Sequence, residues 1–270
     1  MAVSRRNEGS DLGARVLAAI PAIIFAIFIV VEGGTVFAVG IALLGIMACA
    51  ELFKMMRRPG PPVLAGYLAI IGLVFAARFG GREQVLLLLA ISVPVVFFFT
   101  LLRPEFENAS WAMAVTFMGI IWIGLAVAHA MLLRNLPHGG GLVLDTLIGT
   151  FIGDTGAYFA GRGWGRRKLS PRLSPNKTLE GLVGGIVVGT FAFWFAGTYQ
   201  DWLNGIDALI IGASVAVAAP IGDLFESLIK RDNHVKDTGR VFGAHGGVLD
   251  RLDAVLFTVV TAYYVALAVL

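Results

Sequence analysis

The chain has 270 residues, of which 57% are hydrophobic and only 14% charged. With a mean hydropathy of +0.82, it falls outside the soluble-domain range and reads as a polytopic membrane protein. The formal charge of +3 says little by itself, and the single cysteine, Cys49, excludes an intrachain disulfide and reads as a small buried hydrophobe.

Residues 1–11 are polar and read as a disordered cytoplasmic tail. The apolar run from about Leu12 to Val31 follows Arg5-Arg6 but is too long for a signal-peptide core and lacks a clear small-residue cleavage site. It is therefore expected to stay as a first helix. Polar, Gly and Pro interruptions then divide the chain into nine candidate spans, near 12–32, 34–54, 61–78, 83–102, 109–133, 141–161, 180–199, 205–229 and 248–270. Each approaches or exceeds the ~20 residues a helix needs to cross the hydrocarbon. Helices are the expected spanning form because lipid leaves no other partner for backbone groups. The expected fold is an all-α membrane bundle of about nine transmembrane helices with a cytoplasmic N-terminus. Residues 12–140 form its N-terminal helices, and 141–270 its catalytic helices and loops.

This division puts 18 of the 21 Lys/Arg residues on one side, leaving only Arg78, Arg82 and Arg134 on the other. The positive-inside rule makes the crowded side cytoplasmic. Glu51 and Asp145 lie in or beside apolar spans and have no evident site. His129, alone in the fifth span, and His138, on the opposite side, read as hydrogen-bonded structural histidines.

The first charged loop joins the sixth and seventh spans. Its alternating glycines and bases (Gly161, Arg162, Gly163, Gly165, Arg166, Arg167, Lys168) suit a flexible, electropositive polyphosphate cradle. Ser174 or Asn176 is the expected cap of the helix starting near Thr178, whose free N–H groups would face an anion. No Walker loop or dinucleotide GxGxxG occurs. An ordinary positive-inside loop is the plainer reading, and Asp154, a carboxylate inside an apolar span, weighs against it.

The second charged stretch, residues 227–253, gathers five basic residues, four aspartates and two histidines. Charge of both signs near a bilayer points to function. Carboxylates suit a divalent metal, and Lys/Arg suit phosphate oxygens. Asp223, Glu226, Ser227 and Lys230 form a polar stripe ending the eighth span, and Asp250 and Asp253 share one face of the ninth. His245, beside Gly246-Gly247, is a candidate metal ligand or phosphate donor.

The run Ser227-x-x-Lys230-Arg231-x₄-Lys236-Asp237-x₇-His245-Gly246-Gly247-x-x-Asp250-Arg251-x-Asp253 resembles the motif of the phosphatidate cytidylyltransferases (CDP-diacylglycerol synthases). Length, helix number and the segment Ser174-Pro175-Asn176-Lys177-Thr178-x-Glu180-Gly181 are also similar to that family, although Asn176 stands where a second lysine is expected. The resemblance implies a multi-pass plasma-membrane enzyme of phospholipid biosynthesis, its active site facing the cytoplasm, that transfers CMP from CTP to phosphatidic acid. It implies Mg²⁺ on Asp223, Asp250 and Asp253, with a second cation sharing these carboxylates. It gives Lys230, Arg231, Lys236, His245 and Arg251 to the lipid phosphate and the developing charge. Asp154, Arg166, Lys168, Ser174, Asn176, Lys177, Thr178 and Glu180 are the implied nucleotide-binding set. Membrane lipid and a homodimer partner are further implications; nucleic acid is not among the expected partners. A CTP-dependent polyprenol or phytol kinase is the nearest alternative. A secondary transporter is less favoured, because charge gathers at one face and no repeat is evident.

Overall fold

The structure, a computed structural model, describes residues 8–239 and 246–270, and the side chains of 8–19 are not described. Arg240, His245 and residues 1–7 of the expected tail thus lie outside the described residues, while residues 8–11 belong to the first helix. Among the described residues the chain forms nine helical rods and one small hairpin. The rods are α1 Glu8–Glu32, α2 Gly34–Met55, α3 Val63–Phe79, α4 Arg82–Leu101, α5 Ala109–Asn135, α6 Gly139–Trp164, α7 Leu179–Gly197, α8 Gly205–Asp232 and α9 Leu249–Val269.

Six of these (α2, α4, α5, α7, α8 and α9) are long and apolar enough to cross a membrane. The Ile20–Glu32 part of α1 and the 17-residue α3 are shorter apolar helices. α6 has 26 residues but carries Asp145, Asp154 and Arg162. Inside α5 the residues Gly119–Gly124 widen into a π-helix, which periodicity did not signal. Cys49 is fully buried, as expected, and its sulfur packs on Gly119 of this segment.

In lipid, close packing and interhelical hydrogen bonds hold helices together, so small residues mark the seams. α6 and α7 meet almost backbone to backbone: a Cβ on Gly153 would lie 3.3 Å from both the Gly185 carbonyl and the Gly189 Cα. Thr150 on α6 bonds Thr258 on α9 at 3.1 Å, in the buried centre. Gly222 brings α8 onto α9, since a Cβ there would collide with the Asp253 carbonyl and stand 3.2 Å from the Ala254 Cα. That seam sets Asp223 beside Asp253.

Side-chain ties identify which helix ends lie together. At one end Arg103 reaches the Pro59 carbonyl at 3.0 Å, Arg231 reaches the Leu173 carbonyl at 3.2 Å, and Glu51 reaches Leu249 at 2.9 Å. At the other end Arg134 donates to the Val30 carbonyl at 2.9 Å and Asn135 to the Ala77 carbonyl at 2.9 Å. This pairing of ends matches the two sides expected from the basic residues.

The loop between α6 and α7 differs from the expected flexible cradle. Lys168–Ser170 (β1) pairs antiparallel with Ser174–Thr178 (β2), with Lys168 opposite Thr178 and Ser170 opposite Ser174. Ser174 and Asn176 therefore lie in a strand and cap no helix. Thr178 is the cap: its backbone is extended, and its hydroxyl accepts from Gly181 N at 3.1 Å.

Candidate active site

The polar face of α8 carries Asp223, Glu226 and Lys230 at helical spacing, so all three point the same way. α9 presents Asp250 and Asp253 from its first turns. Across the α8–α9 seam, Lys230 Nζ lies 2.5 Å from Glu226 Oε2 and 2.9 Å from Asp250 Oδ1. Lys177 on β2 forms an ion pair with Asp223. Asp154 on α6 is close enough to Asp223 and Lys177 to interact electrostatically with both, and Asp253 with Glu226, Asp223 and Lys230. Five carboxylates from three helices thus surround two ammonium groups.

Asp250 is held from the far side of its carboxylate. Its Oδ2 accepts from Gly247 N at 2.7 Å and from both Thr238 N and Thr238 Oγ1 at 2.9 Å, while Oδ1 faces Lys230. Such charge-assisted bonds fix the orientation of the group.

Glu226 is fully buried and its Oε1 has no hydrogen-bond partner. The Asp253 carboxylate lies close enough to Glu226 to interact with it electrostatically. Two neighbouring carboxylates repel unless a proton or a cation lies between them, so their proximity favours positive charge here. No three His, Cys, Asp or Glu side chains among the described residues are arranged as a metal-holding set. The donor chemistry nevertheless fits a hard divalent cation: the groups are oxygens, negative charge exceeds positive, and one buried oxygen lacks a donor. Of the residues expected to hold metal, Asp253 interacts electrostatically with Asp223, and Asp250 joins them only through Lys230 and Glu226. Glu226, which the sequence places on the same polar stripe as Asp223 and Lys230 but outside the expected metal set, lies beside Lys230 and Asp253.

The hairpin region serves two purposes. Glu180 spends its carboxylate on the turn out of α6, accepting from Arg166 N at 3.0 Å and Arg167 N at 3.2 Å. Lys168, Asn176 and the Arg166 side chain stay exposed, and Ser174 is half-buried. Arg231 ties α8 to the hairpin turn at Leu173. Lys236 and Arg251 are exposed at the same end of the bundle.

Of the residues without an expected site, Asp145 binds Gln200 at 2.5 Å near the opposite end of α6. Glu51 joins the loop that holds Asp250, through Thr238, Val248 and Leu249. Sequence reasoning missed this role, although a carboxylate near the end of an apolar helix was its signal. His129 is a structural histidine, as expected, with Leu125 O at 2.7 Å and the Tyr264 hydroxyl at 3.1 Å. His138 stacks on Trp202, with ring centroids 4.7 Å apart.

Comparison with known proteins adds an independent finding. The Cytidylyltransferase family matches residues 13–269. The chain is 33% identical over 270 residues to a phosphatidate cytidylyltransferase of Bacillus subtilis (strain 168), covering 94% of this chain and 97% of that protein. It is 30% identical over 253 residues to a phosphatidate cytidylyltransferase of Staphylococcus haemolyticus, covering 90% of this chain and 94% of the relative. A phosphatidate cytidylyltransferase of Mycobacterium leprae is 36% identical over 146 residues, covering 53% of this chain and 46% of the relative.

Proposed function

Because the chain belongs to the Cytidylyltransferase family, we infer that it is a phosphatidate cytidylyltransferase, making CDP-diacylglycerol and pyrophosphate from CTP and phosphatidic acid. The observation that carries this reading into chemistry is the convergence of Asp154, Lys177, Asp223, Glu226, Lys230, Asp250 and Asp253 at one end of a membrane bundle. A lipid phosphate and a water-soluble nucleotide can both reach such a place.

An oxygen of the phosphatidate phosphate attacks the α-phosphorus of CTP. The bond from that phosphorus to the bridging oxygen breaks, and pyrophosphate leaves with the electron pair. The attacking phosphomonoester is already an anion, so the reaction needs alignment and charge neutralisation more than a strong base. Lys177 sits on the hairpin beside the carboxylates, and its ammonium can exchange Asp223 for a phosphate oxygen. With Arg166, Lys168, Ser174, Asn176 and Thr178 nearby on the same hairpin, it forms the proposed nucleotide-binding edge. Glu180 supports that edge by holding the backbone of Arg166 and Arg167. Arg231, Lys236 and Arg251 share the end of the bundle where the lipid headgroup would lie, and they are assigned to it. His245, outside the described residues, keeps its proposed place in the same set. Lys230 neutralises Glu226 and Asp250 and keeps both carboxylates aimed at one point.

Asp223, Glu226, Asp250 and Asp253 would hold Mg²⁺, and a second cation if one shares the cluster. When bound, Mg²⁺ supplies charge neutralisation to the phosphates and the leaving pyrophosphate. We further assign all nine helices to the membrane, the protein to the plasma membrane, and the carboxylate cluster to the cytoplasmic face, where CTP is available.

The test is purified protein given CTP labelled in the cytosine, phosphatidic acid and Mg²⁺. Formation of labelled CDP-diacylglycerol with one pyrophosphate per turnover is the expected outcome. Free CDP with a newly phosphorylated lipid would point instead to transfer of the γ-phosphate.

A further inference from the structure

Glu51 lies on α2, far in sequence from the charged motifs, yet it is only 6% exposed and its carboxylate is occupied by the other end of the chain. Its Oε1 accepts from Val248 N at 3.0 Å, and its Oε2 accepts from Leu249 N at 2.9 Å and contacts Thr238 Oγ1 at 3.1 Å. The N–H groups at a helix start have no intrahelical partner, and a carboxylate there also meets the positive end of the dipole. Gly239 and Gly247 press directly onto Glu51, since a Cβ on either would collide with the carboxylate. Thr238 completes the link, as its N and Oγ1 both lie 2.9 Å from Asp250 Oδ2. Its hydroxyl has one proton for two carboxylates, which couples Glu51 and Asp250 into a single unit.

We propose that Glu51 is a positioning residue for cytidylyl transfer: from α2 it clamps both ends of the loop between α8 and α9, and so sets the orientation of Asp250. The proposal rests on the reading of Asp250 as part of the reacting cluster. Glu51 acts through Thr238 and the start of α9. A simple helix cap would need only the two N–H groups; the Thr238 bridge to Asp250 is what ties the cap to the chemistry.

Two variants test it. Glu51→Gln keeps the volume but turns an amide NH₂ toward one of the two N–H donors. Thr238→Val cuts the bridge and leaves the Val248 and Leu249 bonds intact. Each is measured by steady-state kinetics with CTP and phosphatidic acid, and by hydrogen–deuterium exchange of peptides covering 236–252. In Glu51→Gln, exchange is expected to rise over 236–252 and stay unchanged in α3–α5. In both variants kcat is expected to fall on the order of 10²-fold, as for a displaced reacting group, with little change in either KM. Glu51→Asp, which keeps both acceptors, should recover part of that loss. Unchanged exchange in Glu51→Gln, or a folded Thr238→Val protein with wild-type kcat, overturns the proposal. Should Glu51→Gln not fold, Thr238→Val decides alone. An unaltered protein that makes no CDP-diacylglycerol would overturn the function itself, while the exchange measurement still decides the clamp.

Discussion

Lys177 on the hairpin and Asp223 on α8, 46 positions apart in the chain, form an ion pair that fastens the hairpin to the carboxylate cluster. Their side chains keep 28% and 30% of their surface exposed, so the pair is open to exchange with an incoming polyphosphate. An ammonium that leaves a carboxylate for a phosphate keeps its charge paired throughout.

Lys177→Ala should therefore raise the KM for CTP by about tenfold or more, the scale of a lost charge-assisted hydrogen bond, and the KM for phosphatidic acid far less. Initial rates with each substrate varied in turn give the comparison. Equal effects on the two substrates would remove the hairpin from nucleotide binding.

Asp250→Asn keeps the shape of a side chain bonded by Gly247, Thr238 and Lys230 but removes its charge. Turnover should fall by roughly three orders of magnitude or more, because a hard cation requires that charge. Asp223→Asn should behave alike, and the double variant should be scarcely worse than either single change, as for groups acting together. A folded Asp250→Asn protein with near-normal Mg²⁺-dependent turnover would leave Asp250 as a partner of Lys230 alone.

Lys230→Met should destabilise the protein on the order of 3–5 kcal/mol, because it strands the fully buried Glu226 carboxylate without its cation. Adding Glu226→Gln should restore much of the thermal stability without restoring activity. Thermal unfolding in detergent, followed by size-exclusion chromatography, reads the first effect, and the CTP assay reads the second. An unchanged melting temperature in Lys230→Met would mean that Glu226 finds another partner.

Cysteine introduced at position 168 or 236 should react with a membrane-impermeant thiol reagent only after cells are opened. Cysteine at position 82 should react in intact cells. The native Cys49 is buried and adds little background. Labelling of 168 or 236 from outside would reverse the assigned orientation.

Most of the helical plan was legible along the chain. Apolar runs of bilayer length, cut by Gly, Pro and charge, located nine rods with boundaries that mostly shift by only a few residues. Lipid makes that reading reliable, since a spanning segment must satisfy its own backbone. Residue chemistry likewise marked Asp223, Lys230, Asp250 and Asp253 before any contact was seen. The hairpin was not legible, because Gly- and Arg-rich spacing resembles a loop and the pairing of Lys168 with Thr178 has no local periodicity.

Local composition alone establishes which segments form apolar helices and which kinds of charged groups lie at their ends. It takes long-range packing for Lys230 to bridge Glu226 to Asp250, for Lys177 to meet Asp223, and for Glu51 to reach residues 187–198 positions away. Those contacts depend on how closely helices approach. That approach is set by seams such as Gly222 against Asp253 and Gly153 against Gly189, and one chain read from end to end does not say which small residues will meet.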